Sequence, residues 1–237
     1  MLIGYLHLVW KKLFVLKENE VAKNEMSDAV SLDIYFDFLW PYVYNAAVWL
    51  QKVKEDIGPK LTINWKYFSL EQANGQQGPQ WKIWEQSEDY PSRGLLAFQA
   101  AEAARRQGNS SFDSFHIALL KARHEQSKDI ADVDVLNQIA ESVNLEMAQF
   151  QKDFKVRKLL AKLAGDHTFA VKVLGIFGTP TLVFPEKQAI FLKMSPSLAG
   201  DSLSVFKDVR TLVECRQHIQ EIKRLQPPSK WQKMLDF

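Results

Sequence analysis

The chain has 237 residues, of which 46% are hydrophobic and 24% charged, with 15 Phe and 7 Trp. This composition is typical of a packed globular protein and excludes a disordered chain. The formal net charge of +2 comes from 30 basic and 28 acidic residues that are interspersed, so no block supplies the basic field that nucleic-acid binding requires. The single cysteine, Cys215, cannot form a disulfide within the chain, and the sequence therefore predicts a cytoplasmic protein.

The first residues are apolar but do not form a membrane span. Met1 to Leu16 is interrupted by Lys11 and Lys12 and is shorter than the roughly 20 apolar residues that a bilayer crossing needs. No small-residue cleavage site follows, as a signal peptide would require. We expect a mobile N-terminal extension over 1–29. Whether translation starts at Met1 or at Met26, which directly precedes the first clear strand, stays open.

The first half of the fold is predicted as a strand, a helix and a second strand. Val30 to Phe38 alternates apolar and polar residues, as a strand does. Pro41 suits the first turn of a helix, and apolar residues recur at helical spacing from Tyr42 to Val53. Leu61 to Leu70 is again typical of a strand. This order over about 40 residues predicts a parallel βαβ unit.

A helical block follows the βαβ unit. Glu71 to Pro91 is polar and predicts a loop. Helical apolar spacing then recurs in Gly94 to Gly108, Ser111 to Ser127, Asp132 to Val143 and Leu145 to Leu163. Asp166 to Leu174 predicts one more helix, which ends at Gly175. These segments predict a bundle of about four helices inserted between two halves of an α/β fold.

The last part predicts a hairpin and a helix. The short apolar runs TPTLVF and QAIFLKM are close enough to pair as antiparallel strands. An amphipathic helix is predicted from about Leu203 to Arg224, and a tail over 226–237. We therefore expect one α/β domain formed by 30–75 and 165–225, with a helical insertion domain over 76–164.

Two motifs carry a resemblance to a known family. FDFLWPYVYNAAVWL, Phe36 to Leu50, resembles the first strand, active-site turn and first helix of the DsbA-like thioredoxin group, which includes FrnE-type oxidoreductases, kappa-class glutathione transferases and 2-hydroxychromene-2-carboxylate isomerases. GIFGTPTLVF, Gly175 to Phe184, is similar to that group's cis-proline loop. The likeness covers roughly 31–224. It implies a thioredoxin-like fold with the helical insertion between the βαβ half and the αββα half.

The active-site turn departs from the group's pattern. Where the oxidoreductases have Cys-Pro-x-Cys, and the isomerases and transferases have a serine before the proline, this chain has Trp40, Pro41, Tyr42 and Val43. Dithiol exchange needs an attacking thiolate and a second thiol that resolves the mixed disulfide. An indole and an isopropyl group supply neither. We therefore expect a degenerate turn without catalytic residues.

The resemblance implies a substrate-binding cleft formed by Trp40, Tyr42, Thr179 and Pro180. A cis bond at Pro180 would present the backbone of Thr179 to an extended ligand; the alternative is an ordinary trans proline that starts a strand. Trp40 is either a stacking platform for a ligand or a plug in the former thiol pocket. Tyr42 either donates its hydroxyl to a ligand or is an exposed turn residue.

The remaining polar side chains favour structural roles. His116 and His124 are eight residues apart and lack the spacing of paired metal ligands, so no metal site is predicted. His167 is interpreted as a polar residue at the start of a helix. Cys215 is interpreted as a small, semi-buried side chain. Arg105 is interpreted as part of a solvated helix face.

Three functions remain open at this stage. The chain either binds glutathione or an extended peptide without redox turnover, or acts as a glutathione-dependent isomerase or transferase in which bound glutathione is the nucleophile, or uses its helical insertion as an interaction surface. No tightly bound cofactor is expected, and glutathione is the small thiol that the resemblance suggests. Substrate identity, enzymatic activity and oligomeric state do not follow from the sequence.

Overall fold

Four strands and eight α-helices form the described part of the chain, residues 29–196 and 200–224 of a computed structural model. The strands are β1 (Val30–Phe36), β2 (Leu61–Tyr67), β3 (Thr181–Val183) and β4 (Ala189–Phe191). The helices are α1 (Pro41–Ile57), α2 (Leu70–Ala73), α3 (Leu95–Arg105), α4 (Asn109–His124), α5 (Val133–Ser142), α6 (Met147–Phe154), α7 (Leu160–Leu174) and α8 (Ser202–Cys215). The predicted tail over 226–237, and all but the last residue of the predicted extension over 1–29, lie outside the described residues.

The four strands form one sheet in the order β2-β1-β3-β4. β1 pairs with β2 in parallel along its whole length, from Val30 opposite Leu61 to Phe36 opposite Tyr67. β3 is antiparallel to β1, and β4 is antiparallel to β3. The predicted βαβ unit and the predicted antiparallel hairpin are both confirmed.

Helix α1 connects the two parallel strands and packs its apolar stripe on the core. Pro41 occupies its first position, where a missing N–H costs nothing. The helix ends at Gly58, whose φ of 60° is a conformation that favours glycine. Trp49 is fully buried on α1, and its indole N–H donates to the Ser202 carbonyl at 2.9 Å. This bond ties α1 to the first residue of α8.

The helical insertion shares one core with the sheet. Phe36 of β1 lies 6.4 Å, between ring centroids, from Phe98 of α3. Trp65 of β2 lies 4.2 Å from His116 of α4 on the same measure. The fully or nearly fully buried residues of both parts form one continuous apolar cluster. The segment predicted as an insertion domain is therefore packed onto the sheet rather than built around a core of its own.

The predicted helix over Leu145 to Leu163 is wrong. The chain instead forms α6, bends at Val156, whose φ and ψ are −88° and 88°, and passes through a 3₁₀ turn before α7 begins. Phe154 and Leu160 are buried on either side of the bend, so the apolar spacing continues although the backbone does not. The predicted domain boundary between 164 and 165 consequently falls inside α7.

Other predicted bounds also need correction. α8 ends at Cys215, not near Arg224, and the apolar residues beyond it, Ile219 and Ile222, are 40% and 69% exposed. Their helical spacing therefore does not reflect packing. The segment predicted as the loop Glu71 to Pro91 contains most of α2 and a 3₁₀ turn at Ile83–Glu85. Both β1 and β2 end two or three residues earlier than predicted, at Phe36 and Tyr67.

Among the described residues, no helix combines the length and apolar character that crossing a membrane requires.

Candidate functional site

The turn before α1 is held in place by its own backbone and by Pro41. Trp40 is the N-cap of α1 in an extended conformation, and no side chain caps the helix there. Val43 is fully buried. Trp40 and Tyr42 are half-buried, with ring centroids 5.5 Å apart. The turn therefore presents two aromatic rings at the start of α1.

The loop before β3 contains a cis peptide bond between Thr179 and Pro180. The Thr181 hydroxyl donates to the Gly178 carbonyl at 2.8 Å, which closes the loop. Gly178 packs closely, because a Cβ there would lie 3.2 Å from the ring of Phe191, which would have to shift by a few tenths of an ångström. The loop is thus packed tightly against β4.

Thr179 is buried, and its polar groups have no hydrogen-bond partners. It is 1% exposed. Its Oγ1 has no hydrogen-bond partner, and its backbone N–H and C=O make no hydrogen bond to another described residue. Native proteins leave few such buried groups unpaired, because each costs about 1–3 kcal/mol. Thr179 therefore has buried polar groups that are free to bond a ligand.

Lys193 joins the turn to the hairpin. Its Nζ lies 5.6 Å from the ring centroid of Trp40, 5.7 Å from that of Tyr42 and 5.5 Å from that of Phe191. Phe191 stands opposite Thr181 in the β3–β4 pair. The turn and β4, the strand that pairs with β3 after the cis proline, therefore meet at one lysine side chain.

Asp37 connects the end of β1 to the turn. It is fully buried, and its Oδ1 accepts from the Leu39 N–H at 2.8 Å while its Oδ2 accepts from the Leu70 N–H at 2.7 Å. Burial raises the pKa of Asp37 to about 7, although these two bonds and the charge of Arg93 act to lower it. One carboxyl group thus fixes both the turn and the start of α2.

Three histidines occupy structural positions. His116 lies in a box of aromatic rings and burial lowers its pKa to about 3. Burial also lowers the pKa of His124, whose Nε2 lies 2.9 Å from the Phe38 carbonyl. His167 is in the middle of α7 and not at a helix start as predicted. Its Nδ1 accepts from the Ser69 N–H at 3.2 Å, and burial lowers its pKa to about 4.

Two other interpretations are wrong. Cys215 is exposed, not semi-buried, because it lies at the last position of α8. Arg105 is only partly solvated, since its guanidinium lies 3.4 Å from the ring centroid of Phe112 and its Nε donates to Glu102 at 3.1 Å. It belongs to the interface between the insertion and β2, where it also donates to the Trp65 carbonyl.

Sequence reasoning missed Asp37 and Lys193. Asp37 had a visible signal, a charged residue inside an apolar run directly before the turn, but strand alternation suggested that it faces solvent. Lys193 had none, because its partners lie about 150 residues earlier in the chain. Asn45 of α1 donates through Nδ2 to the Met194 carbonyl at 2.9 Å and fixes this contact. Within 29–196 and 200–224, no three His, Cys, Asp or Glu side chains are grouped to hold a metal ion.

Comparisons with known proteins agree with this architecture. An uncharacterized protein of Mycobacterium tuberculosis, Rv2286c, is 26% identical over 204 residues, which are 84% of each chain. A thioredoxin-like oxidoreductase from Silicibacter pomeroyi is similar in structure at 23% identity, with a TM-score of 0.51 over 76% of this chain and 88% of that one. The thiol-disulfide exchange protein alpha-DsbA2 from Wolbachia pipientis matches at 16% identity, with a TM-score of 0.55 over 78% and 83%.

A 2-hydroxychromene-2-carboxylate isomerase has the same fold at 18% identity, with a TM-score of 0.55 over 79% of this chain and 97% of that one. These identities establish the fold and do not transfer an activity. The model of the DSBA-like thioredoxin domain matches residues 31–197, well over half of the sequence. The chain is therefore a member of the DSBA-like thioredoxin domain family.

Proposed function

We propose that the chain binds glutathione or an extended peptide beside the Thr179–Pro180 loop and carries out no dithiol exchange at its turn. The observation that carries this proposal is the set of unpaired polar groups on buried Thr179. An extended ligand offers a complementary N–H and C=O at strand spacing. Pairing with it removes the cost of leaving those groups unsatisfied.

We also take Trp40 as a plug rather than a stacking platform. Two observations support this: Trp40 is half-buried and packs against the apolar core, and Thr179 is only 1% exposed. Because Thr179 is almost completely covered, ligand binding requires a local opening of the site.

The first prediction concerns redox chemistry. We expect no reduction of insulin and no thiol oxidation, because Trp40 and Val43 provide no sulfur and Cys215, at the end of α8, has no second cysteine to resolve a mixed disulfide. Turnover is measured with dithiothreitol or glutathione as the reductant. A Cys215→Ser variant is the control, and turnover that persists in this variant would contradict the proposal.

The second prediction concerns binding at Thr179. We expect glutathione or a short extended peptide to bind with a Kd between about micromolar and millimolar, or about −8 to −4 kcal/mol. Trp40→Ala should tighten binding, because removing a plug opens a pocket, and should lower stability through the apolar area that it removes. The measurement is a titration followed by amide NMR, with calorimetry for the variant.

Val156→Ala is a suitable control, because Val156 is exposed at the bend between α6 and α7. It should leave the affinity unchanged. Amide signals of residues 178–181 that stay unmoved at millimolar ligand would refute the proposed function. A loss of affinity in Trp40→Ala would instead show that the indole is a platform.

A further inference from the structure

Lys193 is positioned by both walls of the proposed binding site. On one side of it, the Leu192 N–H donates to the Pro180 carbonyl at 3.0 Å. On the other side, the Asn45 side chain donates to the Met194 carbonyl at 2.9 Å. The backbone of Lys193 is therefore held between the cis-proline loop and the first turn of α1, although its side chain is exposed.

The ammonium group of Lys193 is oriented by three aromatic rings. Its distances to the ring centroids of Trp40, Tyr42 and Phe191 are 5.5–5.7 Å, within the range of cation–π attraction. Such contacts restrict a long side chain that would otherwise move freely in water. The cation–π contacts leave N–H donors of the ammonium available for a ligand, because the attraction to a ring face does not occupy all three donors.

No carboxylate neutralises this ammonium in the part of the chain that the structure describes. Each ion pair of that part involves other residues; Lys162, for example, pairs with Asp166 and Lys66 with Asp33. The first turn of α1, which carries Trp40 and Tyr42, also lacks an acidic residue. The positive end of that helix therefore lies beside the lysine. The Glu125 carboxylate, which accepts from the Tyr44 hydroxyl, pairs with Lys121 and not with Lys193.

We infer that Lys193 receives a carboxylate of the bound ligand and thereby selects acidic thiols or peptides over neutral ones. This inference rests on the proposed function, in which Thr179 pairs with the backbone of the same ligand. Thr179 then contributes affinity for any extended ligand, whatever its charge, and Lys193 discriminates between acidic and neutral ligands. A carboxylate is the group that suits it, because charge-assisted hydrogen bonds from an ammonium are stronger than those between neutral groups.

The test compares glutathione with its diethyl ester, which keeps the backbone and the thiol but removes both carboxylates. Lys193→Met keeps the apolar stem and removes the charge, and Lys193→Arg keeps the charge. Lys187→Met is the matched control, because Lys187 is exposed in the turn at the opposite end of β4. Affinities are measured by calorimetry, with amide NMR to identify the site.

We expect Lys193→Met to weaken glutathione binding roughly two- to fivefold, as the loss of one exposed ion pair does. Lys193→Arg and Lys187→Met should stay close to the wild type, and the ester should bind the wild type and Lys193→Met equally. Equal binding of glutathione to the wild type and Lys193→Met would overturn the role of Lys193 while the proposed function stands. If neither probe moves the amide signals of residues 178–181, both are overturned.

Discussion

Asp37→Ala should lower the free energy of unfolding by about 2–6 kcal/mol, because it removes the fully buried acceptor of two partly buried N–H groups, each of which costs about 1–3 kcal/mol when it is left unpaired. These are the N–H groups of Leu39 and Leu70, both of which donate to the Asp37 carboxyl group. Asp37→Asn should cost less, about 1–3 kcal/mol, since its carbonyl oxygen still accepts one of the two bonds. The measurement is urea unfolding at pH 7, followed by circular dichroism.

Asp33 provides the matched control on the same strand. Its carboxyl group also accepts a hydrogen bond, from Asn64, and forms an ion pair with Lys66, but it lies at the surface with 39% of its side chain exposed. Exposed pairs of this kind contribute about 0.2–1 kcal/mol. Equal losses in Asp33→Ala and Asp37→Ala would therefore contradict the role given to Asp37.

Asp37→Ala should also disturb the conformation of the turn that carries Trp40. Leu39 directly precedes Trp40, so releasing its N–H also releases the turn. We expect the Trp40 indole signal in NMR spectra to move or broaden in Asp37→Ala, whereas Asp33→Ala should leave it in place. A turn that keeps its spectrum without Asp37 would mean that Pro41 and the helix alone determine its conformation.

The parts of the fold that the sequence predicted well are those with local causes. α1 was predicted from Pro41 and a run of apolar residues at helical spacing, and β1 and β2 from alternation and β-branched residues. In each case the signal lies inside the element itself. The bend between α6 and α7 has no such signal, because Phe154 and Leu160 are both buried and Gly165 is accommodated within the following helix.

The residues of the candidate site also divide into those with a local sequence signal and those without one. The turn at Trp40 and the loop at Thr179 were selected because each is a contiguous motif. Lys193 approaches Trp40 only after the hairpin has been placed beside α1, and no local pattern encodes that contact. Asp37 was hidden for a different reason: period-2 alternation assigns a polar residue to the solvent side, whereas here tertiary hydrogen bonds compensate its burial.

Stability should fall as the pH is lowered from 6.5 to 4. Burial holds the pKa of His116 at about 3 and that of His167 at about 4, below the ordinary value of 6.5. Their contributions to stability are complete above pH 6.5 and are lost as the pH falls towards the folded-state values. Asp37 acts in the opposite sense. Its pKa is raised from 3.8 to about 7, so its contribution is complete below pH 3.8 and is lost as the pH rises through 7.

The net slope follows from the protons that each state binds. Between pH 4 and 6.5 the unfolded chain carries two protons, on His116 and His167, that the folded chain lacks, and the folded chain carries one, on Asp37, that the unfolded chain lacks. The difference of one proton predicts a loss of about 1.4 kcal/mol per pH unit. Burial lowers the pKa of His124 and raises that of Asp113, so these two groups act on the slope in opposite senses.

Two variants separate these contributions. Asp37→Asn removes the opposing group, so the slope should steepen to about 2.7 kcal/mol per pH unit. His167→Gln keeps an acceptor for the Ser69 N–H but cannot titrate, and the slope should fall to nearly zero. Substitution of the exposed His218 by Gln controls for replacing any histidine.

Urea unfolding at half-unit steps of pH measures each slope, and circular dichroism reports the folded fraction. The two variants must change the slope in opposite directions, because Asp37 and His167 bind their protons in different states. An unchanged slope in Asp37→Asn would mean that the carboxyl group is already ionised at pH 4 in the folded chain. Its two N–H donors would then outweigh burial, and Asp37 would place a fixed negative charge directly beneath the turn that carries Trp40.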